Sequence, residues 1–430
     1  MIEVLQLADY LCKDRQEEEQ AAEREAVRAI LADVQAAGDR ALKRCTLQYD
    51  GVALDDLRIP DHAYERAYRQ VTAEFLTALR QAHDNIRRFH QAQTRTSLLL
   101  PDREGNLLGQ IVRPLRRVGI YVPGGRAAYP SSVLMNAVPA QVAGVREIVL
   151  VTPPDRAGEV DPHVLVTIRE LGIAEAYRVG GAQAIGALAY GTETIRPVDK
   201  ITGPGNLYVA LAKQEVFGKV AIDMIAGPSE VMIVADDSAD PDYVAADMLA
   251  QAEHDPRAAA ICVTPSPALA DRVARALAVQ IERLPRKEIA AESLAARGAI
   301  VLTDDLEQAF ALVDRMAPEH LELLVEDALS WAGRVENAGA IFVGPYSPEP
   351  VGDYFAGPNH TLPTAGTARF SSPLSVDDFI KKSSLICYGK ESLLRNGHHV
   401  IALAEAEGLT AHAQAIRVRL AKEGRERNDG

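Results

Sequence analysis

No apolar run in this 430-residue chain approaches the roughly 18 residues that a membrane-spanning helix needs. Basic charge is also short: 46 Lys and Arg face 60 Asp and Glu, a formal net charge of −14. That balance disfavours a nucleic-acid partner, whose phosphates require a basic face. Cysteine is scarce too. The four present, Cys12, Cys45, Cys262 and Cys387, show no C-x-x-C spacing. They are therefore expected to be reduced, mostly buried thiols rather than disulfides or metal ligands. The opening residues lack a basic segment followed by an apolar core, so no signal peptide is expected and the protein should be soluble and intracellular. A G-x-G-x-x-G with a following acidic residue is missing, so the conventional dinucleotide fingerprint is absent.

What is present is a chain that can build sizeable cores, at 47% hydrophobic residues and a length of two to four domains. Residues 1 to about 100 read as helical, with Ala26, Ile30, Val34 and Ala37 at helical spacing. The acidic Glu17-Glu18-Glu19 run in this region reads as a solvated face. From about 107 the pattern changes to short β-branched runs: 119–122, 148–151, 231–234, 261–264, 300–302 and 340–343. Ala- and Leu-rich stretches separate most of them, the pattern of an α/β protein with parallel sheets and crossover helices. Two such blocks are expected, roughly 110–225 and 230–360, before a polar and then helical stretch past Phe370.

Several segments carry residues suited to chemistry. After the apolar run 340–343, Gly344 to His360 packs Pro-bracketed turns, Gly hinges, Asp353 and His360 into one polar segment. Such density of backbone specialists predicts an ordered loop that aims its side chains. Gln251 and His254, three apart at a helix end, should share a face and form half of a metal site. Glu319 and His320 follow Pro318 at a helix break and combine a water-activating carboxylate with an imidazole proton shuttle. Glu407 and His412 flank a turn in which Gly408 and Thr410 look like a C-cap and an N-cap. Three glycine-rich turns, Tyr121–Gly125, Val179–Gln183 and Gly203–Asn206, follow apolar runs and can present backbone amides to phosphate. Ser229 sits on a turn leading into a strand. Read singly, each has a structural alternative: a helix-end hydrogen bonder, a common Glu-His pair, an interhelical turn.

Taken together, these segments resemble the histidinol dehydrogenase family over nearly the whole chain. The resemblance rests on Ile225–Val231, Gln251-Ala252-Glu253-His254, Ala317-Pro318-Glu319-His320-Leu321-Glu322, Val351 through His360, and Glu407–His412, all in order. It implies an NAD-linked, zinc-dependent oxidation of L-histidinol through L-histidinaldehyde to L-histidine. Gln251, His254, Asp353 and His412 match the family's zinc ligands, one ion per site, and Glu319 and His320 its catalytic pair. Ser229, Gln251, His254, His320, Asp353, His360, Glu407 and His412 match substrate contacts, and Tyr121, Gln183 and Asn206 match NAD contacts.

The implied architecture is two incomplete Rossmann-like α/β domains with a helical N-terminal segment and a helical C-terminal tail exchanged in a homodimer. The boundaries expected are an N-terminal arm at 1–25, a discontinuous first domain at 26–115 and 230–370, a second domain at 116–229, and a dimerisation tail at 371–430. The tail would bring Glu407 and His412 to the partner's site, in a cytoplasmic enzyme. Two rivals stand beside this reading: a zinc hydrolase using Glu319 as base, and a dimeric metal- or nucleotide-binding protein without catalysis. Turnover that requires NAD separates them.

Overall fold

The computed structural model describes residues 2–12, 20–124, 128–225 and 227–426. The Glu17–Glu19 run lies outside the described residues, as do Gly125 of the first glycine-rich turn and Ala226 of the segment before Ser229. The chain divides into two units: Met1–Thr94 with Leu115–Phe379, and Arg95–Pro114 with Ile380–Gly430.

Fourteen strands are present among the described residues, beginning with β1 (Glu3–Gln6), β2 (Leu98–Pro101), β3 (Leu107–Pro114) and β4 (Arg117–Tyr121). There follow β5 (Glu147–Thr152), β6 (Glu175–Arg178), β7 (Lys200–Thr202), β8 (Ala221–Ile222) and β9 (Glu230–Ala235). The last are β10 (Ala259–Thr264), β11 (Ala299–Leu302), β12 (His320–Leu324), β13 (Ala340–Val343) and β14 (Ile380–Cys387). The first unit holds a five-stranded sheet ordered β6-β5-β4-β7-β8 and a six-stranded sheet ordered β1-β11-β10-β9-β12-β13. Every pairing in both is parallel. The expected α/β class with parallel sheets is therefore present.

These strands are apolar because helices cover them on both faces, which leaves no solvent side for polar alternation. In the six-stranded sheet, Val231, Ile233, Ala260 and Cys262 face one core, while Met232, Val234, Leu321 and Leu323 face another. The helix Pro241–Ala252 closes the first of these cores. Asp240 caps its start by accepting from the Asp242 amide, and Pro241 fills the first turn, where no N–H is missed. It buries Val244, Met248 and Leu249, each worth about 1.5–3 kcal/mol on transfer from water.

Several expectations need correction. Residues 1–100 are not helical throughout: Glu3–Gln6 forms β1, which pairs only with β11. The helix Ala21–Ala37 exists, but it buries Val27, Leu31 and Val34 and leaves Ala26 exposed. Packing against the helices Gly181–Tyr190 and Leu207–Val216 selects that stripe. Cys45 and Cys262 are buried, whereas Cys12 and Cys387 are exposed; all four are free thiols.

In the second unit, β3 pairs antiparallel with β2 and β14, and the helices Lys390–Ala406 and Thr410–Glu426 follow. Residues 95–114 thus fold with the chain's C-terminal part. No helix among the described residues is long and apolar enough to cross a membrane.

Candidate active site

The site is assembled at the amino edge of the six-stranded sheet. The helix Leu306–Met316 stops at Ala317, whose left-handed φ of 49° closes the last turn, and Pro318 prevents its resumption. Glu319 follows, and His320 is the first residue of β12, paired in register with Val231 and Ala340. Backbone bonds pin this entry: Ala340 N donates to Glu319 O at 2.9 Å and Gly339 N to Pro318 O at 2.9 Å. A Cβ on Gly339 would stand 2.5 Å from Glu319 O, so only glycine fits beside the pair.

Both side chains are buried. Glu230, at the head of β9, holds them through its backbone: its N–H donates to Glu319 Oε2 at 2.9 Å, and its carbonyl faces His320 Nδ1 at 3.1 Å. A carbonyl can only accept, so Nδ1 carries the proton and Nε2 keeps its lone pair. That Nε2 has no hydrogen-bond partner among the described residues and points toward Asp353, 3.8 Å away.

Asp353 arrives on the segment after β13. This segment was expected as a loop of turns; it holds a helical turn at Glu349–Val351 and a wide turn at Gly352–Ala356. It runs back over the sheet from the carboxyl end of β13, with Gly352 close against the Phe342 ring, to the amino end of β12. Further along, Asn359 donates to Met135 O at 2.6 Å, and His360 Nδ1 lies 4.0 Å from Asp353 Oδ1. Asn85 Nδ2 donates to Phe355 O at 3.0 Å, tying the segment to the helix Ala73–Gln91.

Electrostatics mark the cluster. Burial pushes the Glu319 carboxyl well above its ordinary value; the Glu230 amide opposes this, and Glu230, Glu349 and Asp353 add their charge. Burial likewise raises Asp353 to about 7. Desolvation lowers His320 to about 3, with His360 and His254 adding to the effect, and lowers His360 to about 4. His254, just beyond the helix Pro241–Ala252, is lowered by desolvation and by Arg286 and is felt by both other imidazoles. Gln251, in the helix's last turn, is fully buried, and neither of its amide atoms has a partner among the described residues. Such orphans cost about 1–3 kcal/mol each unless a ligand satisfies them. One ligand-capable atom from each of His320, Glu349 and Asp353 lies within 4.8 Å of the other two.

An unpartnered amide, neutral imidazoles and a carboxylate lifted toward neutrality are the surroundings a borderline divalent cation would relieve. Its charge would draw the carboxyls back to their ionised forms. His320, Glu349 and Asp353 are brought together as donors that could hold such a cation; of the expected ligands Asp353 is among them and His254 is not.

The residues expected to contact NAD lie at carboxyl ends of the five-stranded sheet. Tyr121 ends β4; it is buried, its hydroxyl accepts from the Gly181 amide at 3.1 Å, and desolvation raises it to about 12. Gln183 is buried in the first turn of the helix Gly181–Tyr190. Asn206 caps the helix Leu207–Val216 by accepting from Val209 N at 3.1 Å. β4 and β7 are neighbours from which the chain leaves in opposite directions, the place where open parallel sheets take ligands. A cavity of about 680 Å³ beside it is lined by Pro123, Gly124, Thr152, Pro153 and Asp155, among others; none of the expected NAD contacts reaches it.

Ser229 precedes β9, and its carbonyl accepts from Ala259 N at 3.0 Å. The turn differs from the expected caps by one position: Glu407 rather than Gly408 caps the helix Lys390–Ala406, Gly408 follows with φ 73°, and Thr410 is the first residue of the next helix rather than its cap. Glu407 and His412 belong to the second unit, where both are exposed.

Glu322, Glu349 and Asp247 were not singled out from the sequence, though all three are carboxyls that burial raises near the site. Glu322 had a readable signal, since it stands two residues from His320 and hence on the same face of β12.

Comparison with known proteins shows the family of the chain. The family model described as histidinol dehydrogenase matches residues 13–420. The chain is 58% identical over 398 residues to the histidinol dehydrogenase of Halalkalibacterium halodurans, covering 93% of this chain and 94% of the relative. It is 57% identical over 400 residues to that of Geobacillus kaustophilus, with 93% and 94% covered. The crystal structure of histidinol dehydrogenase from Elizabethkingia anophelis superimposes with a TM-score of 0.92 at 38% identity, covering 98% of this chain and 99% of that one. On the matched family, the identity and the shared fold, the chain belongs to the histidinol dehydrogenase family of oxidoreductases.

Proposed function

We propose that this protein catalyses the four-electron oxidation of L-histidinol to L-histidine through L-histidinaldehyde, the closing steps of histidine biosynthesis. The observation that carries the reading is the buried Glu319–His320 pair, held by one residue of β9 and opening onto Asp353 and His360. Gln251, His254 and Asp353 would hold zinc, completed by His412 of the partner subunit. When bound, that ion would supply the positive charge that orients the substrate's nitrogen donors. NAD would serve as the hydride acceptor for both oxidations, near Tyr121, Gln183 and Asn206.

The chain's residues divide the proton work. In the first oxidation His320 Nε2 takes the hydroxyl proton, which its neutral state and free lone pair allow. Glu319 then takes a proton from the water that adds to the aldehyde. Once His320 has passed its first proton to solvent, its Nε2 takes the hydrate's proton in the second oxidation. Ser229, His360 and Glu407 of the partner subunit contact substrate and fix its orientation. The orphan atoms at the site favour this assignment over a purely structural cluster, because buried groups without partners destabilise a fold that does not use them.

The two sheets, within 116–229 and 230–370, act as two incomplete Rossmann-like domains beside an arm at 1–25, while of the 26–115 expected with the second of these, 95–114 pairs with β14 instead. Residues 371–430 form the tail exchanged in a cytoplasmic homodimer. The test is NADH formation from histidinol and NAD before chelation, after chelation and after zinc return. Activity lost and regained in that order is expected. NAD-independent turnover favours the hydrolase, and bound zinc without NADH the inactive binder.

A further inference from the structure

Glu322 is a carboxylic acid in the middle of an apolar strand. It lies on β12 in register with Ile233 of β9 and Phe342 of β13, and is 1% exposed. A glutamate on that face is costly unless its oxygens are bonded, so its partners indicate its purpose.

There are two. Glu322 Oε1 accepts from the backbone N–H of Glu349 at 2.7 Å, at the first residue of the helical turn Glu349–Val351. The Glu322 side chain also hydrogen-bonds the side chain of Asp247, on the helix Pro241–Ala252. Its Oε2 meets no N–H or hydroxyl donor among the described residues. A hydrogen bond between two carboxyls needs a proton between them, so one of the pair is neutral. Burial raises both carboxyls, with the charge of Asp247 adding to Glu322, so the pair holds a shared proton.

The spacing of these contacts is regular. Asp247 lies one helical turn before Gln251 on the same face of its helix. Glu349 lies four residues before Asp353 along the helical segment 349–356. Glu322 itself lies one strand repeat from His320. One side chain thus bonds the three elements that present Gln251, Asp353 and His320, each a single repeat away from the residue it presents.

We propose that Glu322 is a positioning residue that, by bonding Asp247 and the Glu349 amide at once, sets the mutual placement of Gln251, Asp353 and His320. It touches neither substrate nor cofactor. The inference rests on the proposed assignment of Gln251 and Asp353 as zinc ligands.

The test compares Glu322→Gln with Glu322→Leu in the full-length protein. Glutamine keeps both bonds, since its Oε1 accepts from Glu349 N and its amide donates to Asp247; leucine keeps the volume and neither bond. Zinc affinity is read by chelator competition, alongside kcat and KM. For Glu322→Leu the expected result is zinc binding weakened about 10- to 100-fold, the usual cost of losing an outer partner of a metal site. Its kcat falls further than its KM rises. Glu322→Gln stays within about threefold of wild type, because its hydrogen-bond geometry is retained.

Equal zinc affinity in wild type and a folded Glu322→Leu overturns the proposal. A Glu322→Gln variant as weak as Glu322→Leu also overturns it, since charge rather than bonding would then matter. If Glu322→Leu does not fold, Asp247→Ala carries the test by removing only the helix contact, and unchanged zinc affinity there refutes the clamp. Wild-type protein that binds no zinc would instead sink the ligand assignment itself.

Discussion

Glu319→Gln separates the chemistry of the two oxidations from the architecture that supports them. In the wild-type site Glu319 Oε2 accepts from the Glu230 amide at 2.9 Å, and a glutamine oxygen can accept the same bond. His320 should therefore keep its placement, because its Nδ1 is held by the Glu230 carbonyl and not by Glu319, which lies 3.7 Å away. What disappears is the ability to take a proton from water. General-base catalysis is worth about 10²–10⁴ in rate, or about 3–5 kcal/mol of barrier. That loss should fall on aldehyde oxidation, while alcohol oxidation, served by His320, changes by less than about tenfold. The assay supplies histidinol and histidinaldehyde separately and follows NADH in single turnovers.

A stability readout accompanies it. Burial raises Glu319 in the folded state, so the metal-free wild type loses stability as pH rises above the ordinary carboxyl range toward the folded value. Glutamine does not titrate. Metal-free Glu319→Gln should therefore unfold at higher temperature than wild type at pH 8, with the gap closing by pH 4. Equal losses in both half-reactions, or a gap of opposite sign, would refute the reasoning.

Three further outcomes are expected. Arg117→Met should cost about 2–3 kcal/mol, discounted from the full cost of breaking a buried pair because Glu147 and Glu175 are about a quarter exposed. Arg117 holds Glu175 down to about 2, so stability is gained above the ordinary carboxyl value and lost as pH falls through about 2; the variant's deficit in urea melts should shrink over that window, and a constant deficit counts against the pairing. Gly339→Ala should lower both Tm and kcat by displacing the Glu319 carbonyl, and unchanged kcat would show that the strand entry can yield. Mixed His412→Asn and His320→Phe subunits should regain activity that neither variant has alone, and no recovery after verified exchange would place each site within one chain.

Much of the fold was legible because its strands are buried on both faces, and runs such as Val231–Val234 therefore stand out as continuous apolar stretches. β1 was not. Its four residues, Glu3–Gln6, are half charged or polar, precede an Ala- and Leu-containing helix, and form a strand only because β11 offers an edge. The helix Ala21–Ala37 showed its period but not its buried stripe, since its many alanines fit either side. At the site, the Pro318 break, the Gly408 turn and the special backbone of 344–360 were readable as local chemistry.

Glu322 showed its place on the same face as His320 but not its burial, although it sits inside a segment already noticed. His-Leu-Glu-Leu alternates like a strand with one wet face, and only the covering helix Pro241–Ala252 turns that face into an interior. Asp247 and Glu349 owe their meaning to the same tertiary burial.

The most direct test of the proposed chemistry is the number of NADH molecules formed per histidinol when histidinol limits and NAD is in excess. Two per histidinol, with histidine as the sole product, is the predicted result. One per histidinol, with aldehyde accumulating, would contradict the assignment of Glu319 to the second oxidation and of both steps to one site.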